Sequence, residues 1–301
     1  MKLESGQVAV VTGAASGLGR AMAHSLAARG LIAVLADIEE SPLAETVAAI
    51  ESTGAKAIGV PTDVRFSDQV DALATITLER FGRVDVVVNN AGIVAGLGPM
   101  WTYDENDWEW VLSVNLRGVV HGIRAFVPHL VAQGSGHVVN VASMAGLSVA
   151  PGLGPYMVSK HGVVALSEGL AADLALAGAP VGVTVVCPGG MATNITSAER
   201  NRPVDLRVPM KELDPKAVEA VVAWMTTSSG PDMAPQDAAA IVVQAIEKGM
   251  LHVAPNGRYP AVESRCDRLS ADLRTVAEET TMSDGQRTSP GALGEQSELL
   301  T

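Results

Sequence analysis

Aromatic residues make up only 3% of this 301-residue chain, and it has two cysteines. Each scarcity excludes something. So few rings argue against an aromatic-packed sandwich. Cys187 and Cys266 are far apart, and no Cys/His cluster has metal-ligand spacing. No metal site is therefore expected, catalytic zinc included. Two unpaired thiols fit a reduced, cytoplasmic setting, and Cys187, inside an apolar run, reads as a buried inert thiol. The opening MKLESGQVAVVTG puts Glu4 where a secretory signal needs its apolar stretch. Asp, Glu, Gly and Pro break every longer apolar run, so no membrane partner is expected. Positive charge is scarce too. The net charge is −12 without a basic run, which argues against nucleic acid or anionic lipid as a partner. Arg200, Arg202 and Arg207 share one polar stretch and read as solvated loop residues.

What is abundant is aliphatic. Apolar residues reach 48%, with Ala, Val and Gly prominent. Short runs at Val8–Val11, Leu31–Ala36, Ala57–Val60, Val84–Val88, His137–Val141 and Val181–Val186 are apolar at nearly every position, as parallel strands covered on both faces are. Between them Leu18–Arg29, Pro42–Thr53, Asp68–Phe81, Glu105–Leu130 and Tyr156–Ala177 carry helical period. The alternation predicts an α/β fold: a Rossmann-type doubly wound parallel sheet with helices on both faces, in a single domain over residues 1–274. Residues 190–234 are polar and Pro-punctuated and read as a substrate loop region. A helix at Pro235–Lys248 and a short strand at Leu251–Ala254 follow. Residues 275–301 read as a tail, either disordered or laid on a neighbouring subunit.

Thr12–Gly19, TGAASGLG, follows the first strand and opens the first helix, the context a dinucleotide-binding glycine loop requires. Gly13 permits the tight turn, Gly17 a close approach of backbone to pyrophosphate, and Gly19 tight helix–strand packing. Ser16 and Leu18 stand in the same loop, at the anion-attracting start of the helix. Asp37 ends the second strand about 20 residues on, where a carboxylate accepts both ribose hydroxyls of NAD and repels the 2′-phosphate of NADP. No Lys or Arg stands among residues 14–18 or 38–40 to offset it. NAD is the expected cofactor. The plainer reading of Asp37 is a helix cap, although Ser41 before Pro42 is the better candidate for that.

Tyr156 and Lys160 stand four apart at a helix start and share a face, in a chain with three tyrosines and six lysines. A phenol is a poor base at neutral pH, and a nearby ammonium favours the phenolate, which can take a proton from an alcohol while hydride leaves its carbon. An apparent pKa well below that of free tyrosine is the expectation. Ser143 ends the fifth strand, at the sheet edge where ligands bind. From position alone, substrate contact and turn formation are equally open to it. Asn115 lies on the apolar stripe of its helix, where a buried amide needs partners. A structural role and a water held toward Lys160 are equally open.

Taken together, TGAASGLG, Asn89–Gly92 (NNAG), Asn115, Ser143, the Tyr156/Lys160 pair and Pro188-Gly189 resemble the short-chain dehydrogenase/reductase family, in the family's order, over about residues 5–195. The resemblance implies a catalytic tetrad of Asn115, Ser143, Tyr156 and Lys160, with Tyr156 as general acid/base. It implies that Asp63 and Val64 contact adenine, and that Asn89, Asn90, Ala91 and Gly92 steady the central strand and line the cofactor cleft. Tyr156 stands beside the cofactor, Lys160 also holds the nicotinamide ribose, and Pro188, Gly189, Met191 and Thr193 close over the nicotinamide. It also implies a homodimer or homotetramer. Gly190-Met191 and the LHVAP strand depart from the family pattern, so the lid and C-terminus are expected to differ. The long tail is similar to a branch that includes bacterial dehydrogenases of bulky secondary alcohols.

The expected function is NAD-dependent interconversion of a neutral, bulky secondary alcohol and its ketone. Apolar residues follow Ser143, and no Arg or Lys separates it from Tyr156 to pair an acid. An acyl-carrier-protein ketoreductase would prefer NADP and need a basic docking patch. A non-enzymatic NAD sensor tends to lose the Tyr or the Lys, and both are present.

Overall fold

Seven valine-rich runs form one parallel sheet: β1 (Val8–Thr12), β2 (Ile32–Asp37), β3 (Ala57–Pro61), β4 (Val86–Asn89), β5 (Gly136–Val141), β6 (Val181–Val186) and β7 (His252–Val253), in the order β3-β2-β1-β4-β5-β6-β7. This computed structural model describes residues 1–209, 214–228 and 232–285. β1 pairs with β2 through Val11↔Leu35 and with β4 through Val11↔Val88. The strand order reverses between those two neighbours, and the crevice outside the strand ends opens there.

Both faces of the sheet are covered, which is why the strands are apolar at nearly every position. On one face α1 (Gly17–Ala27) packs against α8 (Pro235–Lys248), burying Met22, Leu26, Val242 and Ile246 against Ala9, Val11 and Leu35. On the other, α3 (Ser67–Phe81) and α5 (Gly118–Gln133) bury Val70, Leu73, Phe126 and Leu130 against Val8, Val10 and Val87. Each such side chain contributes about 1.5–3 kcal/mol on burial. His137 ties β5 to β6 through Thr184 Oγ1 at 2.8 Å, and burial pushes its imidazole down to about 4, so it is neutral.

The sequence pattern is met with three differences. The period over 105–130 reads as one helix, but α4 (Glu105–Leu112) passes into α5 through a π turn at Ser113–Arg117. Ser41 does not cap α2 (Glu40–Glu51). That helix starts at Glu40, and the Asp37 carboxylate takes the Glu39 N–H at 3.0 Å instead. Chain contacts place Met1–Ala261 in one compact unit and Val262 onward in a second. The boundary expected at 274 falls inside α9 (Pro260–Gly285), a single polar helix. Residues 275–285 of the expected tail continue it, and 286–301 lie outside the described residues. Among the described residues, no helix is long and apolar enough to cross a membrane.

Candidate active site

A cleft of about 1080 Å³ runs along the strand ends. The β1–α1 turn forms one wall. Gly13 has φ +64°, and a Cβ there would lie 2.8 Å from Asn90 Nδ2. A Cβ on Gly19 would come within 2.1 Å of Gly13 O. Neither position admits another residue without moving backbone. Gly17, Ser16 and Leu18 line the cleft, and a Cβ on Gly17 would meet Thr193 Cγ2 at 3.2 Å. Asn90 secures this turn: its Nδ2 donates to Thr12 O at 2.9 Å and to Gly13 O at 3.1 Å. Thr12 Oγ1 accepts the N–H groups of Asn90 and Ala91. Asn89 points away from the cleft, donating to Asn140 Oδ1 at 2.9 Å.

Asp37 and Ile38 line the far end beside Asp63 and Val64. The Asp37 carboxylate accepts from Ala15 N at 2.9 Å as well as from Glu39 N. It thus braces the turns after β1 and β2 as well as walling the cleft. Burial raises its pKa, against those two hydrogen bonds. The Asp63 carboxylate is already paired with Arg65, with Nη2 at 2.7 Å, so any base it meets finds its charge compensated.

Ser143, Tyr156 and Lys160 converge at the middle of the cleft, and Asn115 is fully buried and does not line it. Ser143 and Tyr156, near the start of α6 (Gly154–Leu176), line the same part of the cleft, and the Ser143 hydroxyl favours the Tyr156 phenolate. Ser143 Oγ also accepts from Ala145 N at 3.1 Å, so the turn and the site use the same atom. Lys160, one turn along, is 2% exposed; its Nζ donates to Val141 O at 2.9 Å and lies 5.6 Å from the Tyr156 ring centre. Burial lowers its pKa to about 8. Burial raises the Tyr156 pKa, with the Ser143 hydroxyl opposing. This direction is opposite to the expected low phenol pKa, because desolvation outweighs the stabilisation of the charged form. Asn115 sits in the π turn. Its side chain accepts from Ile93 N at 2.8 Å and donates to Ile93 O at 2.9 Å and to Ser159 Oγ at 3.0 Å. A Cβ on Gly92 would lie 3.3 Å from Lys160 Nζ and 3.6 Å from Asn115 Oδ1, so the three meet at one point.

Tyr103 also lines the cleft, but its hydroxyl is 2.7 Å from Gly152 O and burial pushes its phenol up to about 12. Cys187 is buried behind Ser143 and Lys160, its thiol pushed up to about 12. Its burial is as expected.

Pro188, Gly189, Met191 and Thr193 line the cleft above these groups. Asn256, which sequence reasoning passed over, staples this lid: Gly189 N donates to its Oδ1 at 2.9 Å, and its Nδ2 donates to Gly190 O at 2.6 Å. Of the three loop arginines, Arg200 and Arg207 are exposed as expected, but Arg202 is buried. The Arg202 side chain is 4% exposed, pairs with Asp107 at 2.7 Å and with Glu199, and stacks over Trp110 at 4.2 Å. Arg200 pairs with Glu39. The apolar end of the cleft is formed by Ile93, Val94, Leu97, Leu153, Val221 and Trp224, the last on α7 (Pro215–Ser228) and bonded to Ser148 Oγ at 3.0 Å. Of the loop region expected at 190–234, residues 210–213 and 229–231 lie outside the described residues.

Comparison with known proteins agrees with this architecture. The family model "short chain dehydrogenase" matches residues 7–203. A "CLA biosynthesis dehydrogenase/reductase" of Lactiplantibacillus plantarum is 31% identical over 278 residues, covering 90% of this chain and 96% of its own. The crystal structure of a short chain dehydrogenase/reductase from Burkholderia phymatum, in complex with NAD, is 39% identical with a TM-score of 0.80, covering 98% of this chain and 100% of its own. A metagenomic short-chain oxidoreductase in complex with NADP is 28% identical with a TM-score of 0.66, covering 84% of this chain and 97% of its own. The chain belongs to the short-chain dehydrogenase family.

Proposed function

We propose that this short-chain dehydrogenase is an NAD-dependent alcohol dehydrogenase/carbonyl reductase of neutral, bulky secondary alcohols and their ketones. The observation that carries the reading is the meeting of Ser143, Tyr156 and Lys160 between a glycine turn and an apolar cavity in one cleft. A nicotinamide dinucleotide fits the residues present. Gly13 and Gly19 leave a cradle that a Cβ would fill. The turn, with Ser16, Gly17 and Leu18, holds the pyrophosphate; Asp37 accepts the ribose hydroxyls and disfavours a 2′-phosphate; Asp63 and Val64 flank the base. Asn90, Ala91 and Gly92 line the cleft floor, and Pro188, Gly189, Met191 and Thr193 cover the nicotinamide end.

When bound, the nicotinamide supplies or accepts the hydride at the substrate carbon. Tyr156 moves the proton, giving it to a carbonyl oxygen in reduction and taking it from the hydroxyl in oxidation. Ser143 Oγ orients that oxygen. Lys160 spends one N–H on Val141 O and has others for the ribose and for stabilising a phenolate. Asn115 holds the Ile93 backbone and the floor beside Lys160. Tyr103 is no rival acid, since its hydroxyl bonds Gly152 O.

The substrate end supports a neutral ligand. Arg202, its one deeply buried cation among the described residues, is matched by Asp107 and Glu199 and is not spare for a carboxylate. A non-enzymatic sensor would have no use for the intact Tyr156–Lys160 pair. A panel of secondary alcohols and ketones with both cofactors tests the proposal. Bulky neutral secondary alcohols turn over, with NAD favoured at least about tenfold in kcat/KM, or 1.4 kcal/mol. Turnover confined to hydroxy acids or acyl-phosphopantetheine compounds would contradict the substrate class, and equal use of NADP the cofactor. We further expect a homodimer or homotetramer acting in the cytoplasm.

A further inference from the structure

Arg200 belongs to the loop at the substrate end, yet its guanidinium lies over the opposite end of the cleft. Nε donates to Glu39 Oε1 at 3.0 Å and Nη2 to Glu39 Oε2 at 2.6 Å, a fork bound to one carboxylate. Nη1 donates to Ser197 O at 2.8 Å and to Asn194 O at 3.4 Å, which fixes the fork's direction. Glu39 is two residues past Asp37 and gives its N–H to Asp37 Oδ1 at 3.0 Å, so the two carboxylates share one turn. The Arg200 charge acts on Asp37 as well as on Glu39, and all three residues line the cleft. The pair is partly open to solvent, with side chains 38% and 23% exposed. Exposed pairs of this kind add little to stability, so its consequence lies in what it does to the cleft.

We propose that Glu39 is a cofactor-selectivity residue: by occupying the Arg200 fork, it withholds from a 2′-phosphate the cation that would offset Asp37. This rests on the reading that the cleft takes a nicotinamide dinucleotide with its adenosine ribose at Asp37. A guanidinium binds a phosphate as well as a carboxylate, in the same two-pronged geometry. One fork serves one acid. With Glu39 present, a 2′-phosphate meets two carboxylates and a cation already engaged. With a neutral amide at 39, it meets one carboxylate and a free fork. The cation comes from 161 residues away in sequence, so inspection of the residues around Asp37 does not find it.

The test is equilibrium binding of NADH and NADPH, followed by nucleotide fluorescence, and of AMP and adenosine 2′,5′-bisphosphate by calorimetry. It uses the wild-type protein, Glu39→Gln, Arg200→Gln and the double variant. In Glu39→Gln the NADPH-to-NADH affinity ratio rises at least about tenfold, and the bisphosphate-to-AMP ratio rises with it. In the double variant both ratios return to within about threefold of wild type. An unchanged ratio in Glu39→Gln overturns the proposal. So does a double variant that gains as much as the single one, because Glu39 would then act by its own charge and not through Arg200. NADH binding by every variant shows that each is folded. A wild-type protein that binds neither dinucleotide overturns the cofactor reading itself, and this inference with it.

Discussion

Tyr156 and Lys160 can be found in the sequence because their chemistry sits within one helical turn. Their titration cannot be found there, because it depends on what surrounds them. Burial raises the Tyr156 pKa and lowers that of Lys160 to about 8. The sign for the reaction follows. Carbonyl reduction consumes the protonated phenol, a form that an upward shift preserves through neutral pH. Alcohol oxidation consumes the phenolate, which gains as pH rises. Initial rates in both directions between pH 6 and about 10 should therefore diverge, reduction staying flat and oxidation climbing. An oxidation rate that falls steadily from neutral pH upward would contradict the assignment of Tyr156 as the base. Other residues were beyond local reading because their partners are remote. Arg202 bonds Asp107 across 95 positions, and Asn256 bonds Gly189 across 67. Arg202 looks as solvated as Arg200 and Arg207 beside it until the loop that carries it is folded onto the cleft.

At the scale of elements, the strands and most helices were legible because burial on both faces leaves apolar runs and a helical face leaves a 3.6-residue period. The π turn at Ser113–Arg117 was not, since it preserves the apolar stripe while shifting the hydrogen-bond ladder. The loop over the substrate end is held to α4 by a buried ion pair, Arg202 to Asp107, with Glu199 and the Trp110 face completing it. Removing one partner leaves the other charged and buried, a cost of about 3–5 kcal/mol where the site cannot relax. Arg202→Met should therefore raise KM for the alcohol substantially more than it changes NADH affinity, because the cofactor end keeps its own contacts. Asp107→Asn should do the same more mildly. Steady-state kinetics beside an NADH titration checks this, and a variant with unchanged KM would show that the clamp does not shape the pocket.

For the whole molecule, α6 combines the site with an unpaired apolar surface. Its inner side buries Lys160, Val163, Val164 and Leu174. Its outer side leaves Val158 40% and Leu176 90% exposed, and Val120 on α5 is 40% exposed. A helix apolar nearly all round is one that meets a neighbour on each side. We expect that neighbour to be a second copy of the chain, giving a dimer or tetramer in light scattering at micromolar concentration. A monomer under those conditions would refute it. The extension of α9 to Gly285 was missed because its polar composition looks the same in a solvated helix as in an unstructured tail.

The central claim is that Tyr156 carries the proton for a hydride transfer in this cleft. The direct measurement is turnover of the best alcohol from the panel by the wild-type enzyme and by Tyr156→Phe, with NADH binding measured on the same samples. Tyr156→Phe lowers turnover by about two or more orders of magnitude while NADH affinity survives, since the phenol oxygen is not the main anchor of the cofactor. Turnover within a few-fold of wild type, in a variant that binds NADH normally, would contradict the account.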